Sequence, residues 1–317
     1  SFKCSFCENA LLGHKHHSMT AEDIMEQITY YHKNFNIDAF AFFDEDFFYD
    51  KDRFYRLLEL METHNLKIKW GTQSRANYFN ERYINKDIIK RLEAVGLVRV
   101  SMGIESGSPK MLKMIRKGIT RATVLRAVEI GKASDVFFSY SFIINLPGET
   151  IKDYLMTFDL IHKLESMKKN SFVSAIHHYF SYPGTPLSVE LEKQHGFKLA
   201  DQLSLEEFAK YDLREYNKKI NPPLSNEKVL VRECAYYHFV YRNYYFDFKN
   251  ALTNPLKMAK LIYIYSYRII GKIRFRFDYY YMPFEIYLHN WLLKIHRNYK
   301  IPTLSALARY TKIPRTY

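Results

Sequence analysis

Val98-Arg99-Val100-Ser101-Met102-Gly103-Ile104, the helical segment Arg121–Lys132, then Val136-Phe137-Phe138-Ser139-Tyr140-Ser141-Phe142-Ile143-Ile144: this run decides the fold. Its two flanking segments are short and rich in β-branched and aromatic residues, as strands are. One helix between them makes a βαβ unit, whose strands lie parallel. The rhythm extends in both directions. Ala39–Phe43, Lys67–Gly71 and Phe172–Tyr179 are further strand candidates. Thr20–Phe35, Lys51–His64, Lys86–Ala94 and Ile151–Leu164 read as helices. Thr20 is an N-cap with Asp23 three positions on, and Phe54, Leu57, Leu58 and Met61 keep one helical face. Strands recur about every 30 to 40 residues, the spacing of a parallel sheet built from such units.

Polar or glycine-containing segments follow the strand ends: Asp44-Glu45-Asp46, Gln73-Ser74-Arg75, Glu105-Ser106-Gly107 and Leu146-Pro147-Gly148-Glu149. Parallel α/β folds place their active sites at the carboxyl ends of the strands. These turns are therefore expected to face one site.

The 317-residue chain is 47% hydrophobic and 26% charged, a globular composition that excludes a disordered or low-complexity protein. Cys4, Cys7 and Cys234 cannot build a disulfide framework, so a reducing, cytoplasmic setting is expected. No secretory signal opens the chain, and no apolar run reaches the length of a membrane span. The opening at Ser1 instead of Met is expected of a piece of a longer protein. Charge divides unevenly. Residues 1–217 carry 29 Lys and Arg against 29 Asp and Glu, whereas residues 218–317 carry 18 against 5 and hold the whole net charge of +13. Tyr and Phe crowd into that tail, as in Tyr279-Tyr280-Tyr281. Two modules are expected, 1–217 and 218–317, with Asn221-Pro222-Pro223 as linker. The tail reads as helical, in Leu256–Ile270 and again from Phe284 through Tyr287, Leu288, Trp291, Leu292 and Ile295.

Cys4-Ser5-Phe6-Cys7 precedes a polar loop and the first helix. By itself this C-x-x-C leaves three readings open: a redox couple, half a zinc site, or part of an iron–sulfur ligand set. A redox couple wants a helix starting directly at the pair, and here a dozen loop residues intervene. A zinc site needs further ligands, for which only Cys234 and His14, His16 and His17 are at hand.

With the rest of the chain, the pair resembles the end of the C-x-x-x-C-x-x-C motif of radical SAM enzymes, whose first cysteine would directly precede Ser1. The resemblance continues in order through Phe43-Asp44-Glu45-Asp46-Phe47, Trp70–Arg75, Gly103-Ile104-Glu105-Ser106-Gly107-Ser108, Arg116-Lys117-Gly118, Phe142–Thr150 and Tyr182–Leu187. It covers about residues 1–190 and is closest to the branch that usually carries a cobalamin-binding domain upstream. It implies an α/β fold, a partial parallel (β/α) TIM-like barrel lacking its first strand, followed by the helical extension.

The resemblance implies a [4Fe–4S] cluster held by Cys4, Cys7 and the missing cysteine, with one iron open to S-adenosylmethionine. Reductive cleavage then gives a 5′-deoxyadenosyl radical that takes a hydrogen atom from a substrate. Phe6 would pack near cluster and adenine, Asp44 and its neighbours would lie at the methionine amino group, and Glu105 would accept from the ribose hydroxyls. Lys117, or its neighbour Arg116, would neutralise the methionine carboxylate, with Gln73 and Ser141 as further S-adenosylmethionine contacts. Asn145 stands where the family usually has glycine, and asparagine tolerates unusual backbone angles.

Strand alternation sends one of His177 and His178 into the barrel. Cys234 is expected to be a small buried hydrophobe. The expected function is methyl transfer or another radical transformation of a small-molecule or lipid-like substrate, with cobalamin on an upstream domain and a reductant such as flavodoxin or ferredoxin. The basic tail fits a cap on the barrel, a contact with an anionic membrane surface, or nucleic acid; its helical character weighs against the last. An RNA-modifying enzyme of the same family and a non-catalytic, membrane-docking barrel are the alternatives.

Overall fold

The computed structural model describes residues 3–11, 17–66, 68–196, 204–209 and 255–277, with positions 284, 285, 287, 288 and 291. His14, His16, Cys234 and most of the tail lie outside the described residues. The chain divides into two compact units, Ser1–Pro222 and Pro223–Tyr317.

The first unit is a five-stranded sheet in the order of the sequence, and every neighbouring pair is parallel. Its strands are β1 (Ala39–Phe42), β2 (Lys69–Ser74), β3 (Leu97–Glu105), β4 (Phe137–Ile144) and β5 (Ser171–His178). The connecting helices are α1 (Ala21–Phe35), α2 (Lys51–His64), α3 (Lys86–Ala94), α4 (Pro109–Met114), α5 (Arg121–Gly131), α6 (Ile151–Met167) and α7 (Pro186–Gln194). A short α8 (Leu205–Ala209) follows. This is the parallel α/β sheet that the strand–helix rhythm implies, in the partial barrel architecture that the resemblance implies.

Local chemistry sets the helix starts. Thr20, Asp50, Asn85, Ser108, Thr120, Thr150 and Thr185 each accept a backbone N–H in the first turn of the helix that follows. Pro109 and Pro186 occupy first-turn positions, where the absent N–H is harmless. Asn36 and Asn65 end α1 and α2 in the left-handed conformation.

One face of the sheet is packed under the helices by Trp70, Val100, Met102, Phe138, Tyr140 and Phe142, all essentially buried. The opposite, open face carries Gly71, Gln73, Arg99, Ser101, Ser139 and Ser141, in rows set by the register Gln73–Ser101–Ser139 and Gly103–Ser141. His177 lies opposite Ile143 and is exposed, so it is the histidine on the open face.

Strand β2 departs from the sequence reading. The apolar run suggests an end at Gly71, but pairing continues through Gln73 and Ser74 against Ser101 and Met102. The open face does not require apolar side chains, so polarity did not mark a strand end. Helices α4 and α7 escaped the pattern because they are short.

In the second unit, α9 (Pro255–Phe277) turns Leu261, Tyr267 and Arg274 inward. Arg274 makes a bidentate ion pair with buried Glu285, at 2.6 and 2.7 Å, and the Tyr267 hydroxyl donates to the Glu285 carbonyl. Among the described residues no helix is long and apolar enough to cross a membrane.

Candidate active site

The site gathers at the carboxyl ends of β2, β3 and β4, over the opening loop. Cys4 and Cys7 share one tight turn, with the Cys7 N–H donating to the Cys4 carbonyl at 3.3 Å. Ser5 fixes that turn in place. Its N–H donates to the Ile115 carbonyl at 3.0 Å, its hydroxyl donates to the Met114 carbonyl at 3.2 Å, and its carbonyl accepts from Leu187 at 2.9 Å. The loop is thus tied to the end of α4 and the start of α7. Cys4 is buried and Cys7 half-buried. Burial raises the Cys7 thiol above its ordinary range; the neighbouring Cys4 and Glu45 add to this, and the Asn9 backbone and Lys117 oppose it.

Two cations converge on the turn. Arg75, directly after β2, donates from Nη1 to Cys4 Sγ at 3.5 Å and from Nη2 to the Lys117 carbonyl. Lys117 Nζ lies 5.9 Å from the centre of the Phe6 ring and donates to Glu105 Oε1 at 2.8 Å. Both members of that ion pair are 9% exposed in their side chains. Three backbone features deliver it. Glu105 ends β3 at φ 68°, Arg116 follows α4 at φ 50°, and Gly118 takes φ 69°. Left-handed non-glycine residues are uncommon, and here they reverse the chain so that Glu105 and Lys117 fold back over Gly103. A Cβ on Gly103 would lie 2.3 Å from Glu105 Oε1 and 3.1 Å from Lys117 Nζ, so a side chain there would displace the pair from this arrangement.

The remaining sequence candidates separate. Ser141 pairs with Gly103 and lies in the row beneath the Glu105–Lys117 pair. Gln73 is exposed on the open face of β2, paired with Ser101. Arg116 is exposed, so of the two neighbouring cations Lys117 is the one at the site. Asp44 is 3.9 Å from Arg53, which places its carboxylate on the α2 side. Asp46 accepts from the Tyr78 hydroxyl at 2.7 Å, and burial with that carboxylate holds Tyr78 protonated. Of the acidic triplet, Glu45 is the one whose charge reaches Cys7. Ser108 caps α4, which leaves Glu105 free of any capping task. Arg75 was legible only as part of a polar strand end; no residue-type pattern singled it out.

The turn after β4 completes the rim. Asn145 takes φ 61° and Gly148 φ 67°, both left-handed. Glu149 is buried at 2% exposure, its Oε2 accepting from the Leu146 N–H at 3.1 Å while Oε1 has no partner. Burial pushes its carboxyl up to about 8, against the Leu146 and Asn145 backbone donors. The folded protein therefore holds a proton that the unfolded chain releases from about pH 4.5. The stabilisation is complete below that value and lost as pH rises through about 8. Glu149→Gln keeps the acceptor and removes the titration. The variant should melt above wild type at about pH 8.5 and alongside it at about pH 4.5, the gap growing by up to about 1.4 kcal/mol per pH unit between them. Parallel melting curves at all pH values would contradict the assignment.

Residues 1–161, half of the chain, match the family model described as the radical SAM superfamily. The chain belongs to that family. Its cofactors are a [4Fe–4S] cluster and S-adenosylmethionine, and a Cys-lined turn beside a buried Lys–Glu pair suits both. Among curated proteins, the chain is 32% identical over 187 residues to an uncharacterized methyltransferase of Pyrococcus horikoshii, covering 59% of this chain and 39% of that protein. It is 24% identical over 213 residues to the anaerobic magnesium-protoporphyrin IX monomethyl ester cyclase of Cereibacter sphaeroides, covering 67% and 32%. The chain thus spans about a third of the length of these relatives. In fold it is similar to the cobalamin-dependent S-adenosylmethionine radical enzyme OxsB in its apo form. That likeness has a TM-score of 0.58 at 19% identity and covers 93% of this chain and 48% of that one.

Proposed function

We propose that the turn Cys4–Cys7 and the Glu105–Lys117 pair form one site that binds a [4Fe–4S] cluster with S-adenosylmethionine and uses them for radical chemistry on a small molecule. The observation that carries it is the convergence of two thiols, Arg75, Phe6 and the buried ion pair at the ends of adjacent strands. When bound and reduced by a flavodoxin- or ferredoxin-class donor, the cofactors supply one electron to the sulfonium, giving methionine and a 5′-deoxyadenosyl radical that takes a hydrogen atom from the substrate.

The chain's own residues do the rest. Cys4 and Cys7 are soft thiolate ligands, and the third comes from the residue ahead of Ser1. Arg75 donates to Cys4 Sγ and so orients that sulfur. Lys117 would receive the methionine carboxylate and Glu105 would accept from the ribose hydroxyls. In the structure the two hold each other, so both are already desolvated and aimed. The exchange would give Lys117 another carboxylate and Glu105 hydroxyl donors, so neither buried group would lose its hydrogen bonding. Phe6 covers Lys117 and keeps water from the reacting atoms.

Methyl transfer linked to cobalamin is the reaction class this reading favours. It draws support from the P. horikoshii methyltransferase and from the fold of OxsB. The cobalamin would be held by sequence ahead of Ser1. The test is anaerobic reconstitution of the protein carried on its natural upstream sequence, then reduction by dithionite with S-adenosylmethionine. Release of 5′-deoxyadenosine, with about four iron and four sulfide per chain, is expected. A filled cluster with no 5′-deoxyadenosine refutes the reading. Activity equal to that of the chain starting at Ser1 refutes the third ligand.

We further infer that α9 touches an anionic membrane surface. Ile262, Tyr265, Ile269, Ile273 and Phe277 are exposed at three- and four-residue spacing, one stripe over four turns. The helix has six Lys and Arg and no Asp or Glu, and Arg274 is paired with Glu285. Each basic residue near anionic lipid adds about 1 kcal/mol. Sedimentation with phosphatidylserine-containing vesicles should carry the protein down, less so with added salt, and Ile269→Asp with Ile273→Asp should abolish it. Equal recovery with pure phosphatidylcholine would contradict an electrostatic contact.

A further inference from the structure

Arg99 differs from the arginines held in ion pairs. Arg53, Arg56, Arg91, Arg121 and Arg274 each face a carboxylate: Asp44, Glu22, Glu62, Asp159 and Glu285. Arg99 has no carboxylate within ion-pair distance among the described residues. It projects from β3 on the open face of the sheet, exposed, opposite Phe137 of β4 and Gly71 of β2.

Its guanidinium is nevertheless held. The group stacks 5.2 Å from the centre of the Phe172 ring. Its Nε donates to Ser139 Oγ at 3.2 Å, and that hydroxyl donates to Ser101 Oγ at 2.8 Å. One N–H is thus committed, and no hydrogen bond from either terminal nitrogen occurs among the described residues. An aromatic platform and a hydroxyl brace keep the fork in one orientation, which lowers the entropic cost of a bidentate contact. The same face is carpeted by Gln73, Ser101, Ser139, Ser141 and His177, where barrel interiors are ordinarily filled by branched apolar residues. An alkyl chain lying there would leave these groups without partners.

We propose that Arg99 is an anchor for an anionic group of the substrate, a carboxylate or phosphate, at the floor of the barrel. The inference rests on the radical SAM reading for where the chemistry happens. Arg99 is four residues before Gly103 on one strand, so the anchor lies roughly 13 Å from the Glu105–Lys117 level. The substrate is accordingly a polar molecule with one anionic end, whose reacting carbon sits about that far from its charge. This selects the small-molecule over the lipid-like alternative.

The test follows the guanidinium signals of 15N-arginine-labelled protein during titration with inorganic phosphate and, separately, acetate. S-adenosylhomocysteine is held in excess to occupy the Lys117 site. The Arg99 signal is assigned as the one absent in Arg99→Lys. A saturable shift of that signal ahead of all other arginines is expected. Arg99→Gln should remove the saturable phase, and Arg99→Lys should weaken it about tenfold, because a point charge replaces the fork. Preference for phosphate or for acetate separates the two sources of the charge. A silent Arg99 signal, or uniform shifts across all arginines, overturns the anchor. Substrate-free 5′-deoxyadenosine formation, measured on wild type, keeps the two claims apart. If none forms while Arg99 titrates, the radical reading fails and the anchor stands; if it forms and Arg99 is silent, the anchor alone fails.

Discussion

Cys7→Ala should lose the iron–sulfur chromophore and lower 5′-deoxyadenosine release to that of a protein-free control, while the protein stays folded. The two halves of this expectation rest on different residues. Ser5, not Cys7, ties the opening loop to Ile115, Met114 and Leu187, and Cys7 is only half-buried. Removing its sulfur therefore costs little packing, about 1 kcal/mol or less. The near neighbours Ser5 and Glu8 do not substitute for a thiolate ligand, because they offer only oxygen, which suits iron–sulfur clusters poorly. Iron content, visible absorbance and a melting curve of the same sample separate ligand loss from unfolding. A variant that retains a full complement of iron would show that the cluster is held elsewhere.

The second large effect is expected at Lys117. Lys117→Met breaks a buried ion pair from one side and leaves Glu105 charged, nearly inaccessible and seated on Gly103. Leaving one partner of such a pair uncompensated costs on the order of 3–5 kcal/mol. The melting temperature should fall accordingly, and S-adenosylmethionine affinity should drop with it. Adding Glu105→Gln removes the stranded charge, so the double variant should regain most of the stability without regaining affinity. That non-additivity is the signature of a coupled pair with a binding role. Arg116→Ala, one residue away but exposed, should change stability by no more than about 0.5 kcal/mol. Full recovery of affinity in the double variant would mean that the pair serves stability alone.

The frame of this protein was legible because its signals are local. Thr20, Asp50, Asn85, Thr120 and Thr150 cap helices that begin where the pattern places them, since a capping side chain and its backbone donor lie within three residues. The motif order likewise pointed to Cys4, Cys7, Glu105 and Lys117 before any coordinates. What escaped depends on pairing between distant segments. The extra length of β2 follows from its register against Ser101 and Met102, which Gln73 and Ser74 do not announce. Arg75 reaches Cys4 across 71 positions of sequence. The turn after β1 divides its three acids among three neighbours, the Asp44 carboxylate lying by Arg53, while the expectation at Asp44 concerns the backbone of that turn. Arg99 drew no notice in sequence, where an arginine in a strand reads as a solvated residue. Only the stacking on Phe172 and the brace from Ser139 mark it.

The central claim is that S-adenosylmethionine binds directly at an iron left open by the cysteine loop. Electron–nuclear double resonance on the reduced protein, with S-adenosylmethionine carrying 15N at its amino group, addresses it most directly. A 15N coupling to the cluster spin, lost in Cys7→Ala together with the signal itself, is predicted. A fully reduced cluster whose spectrum is indifferent to the labelled compound at saturating concentration would contradict the account.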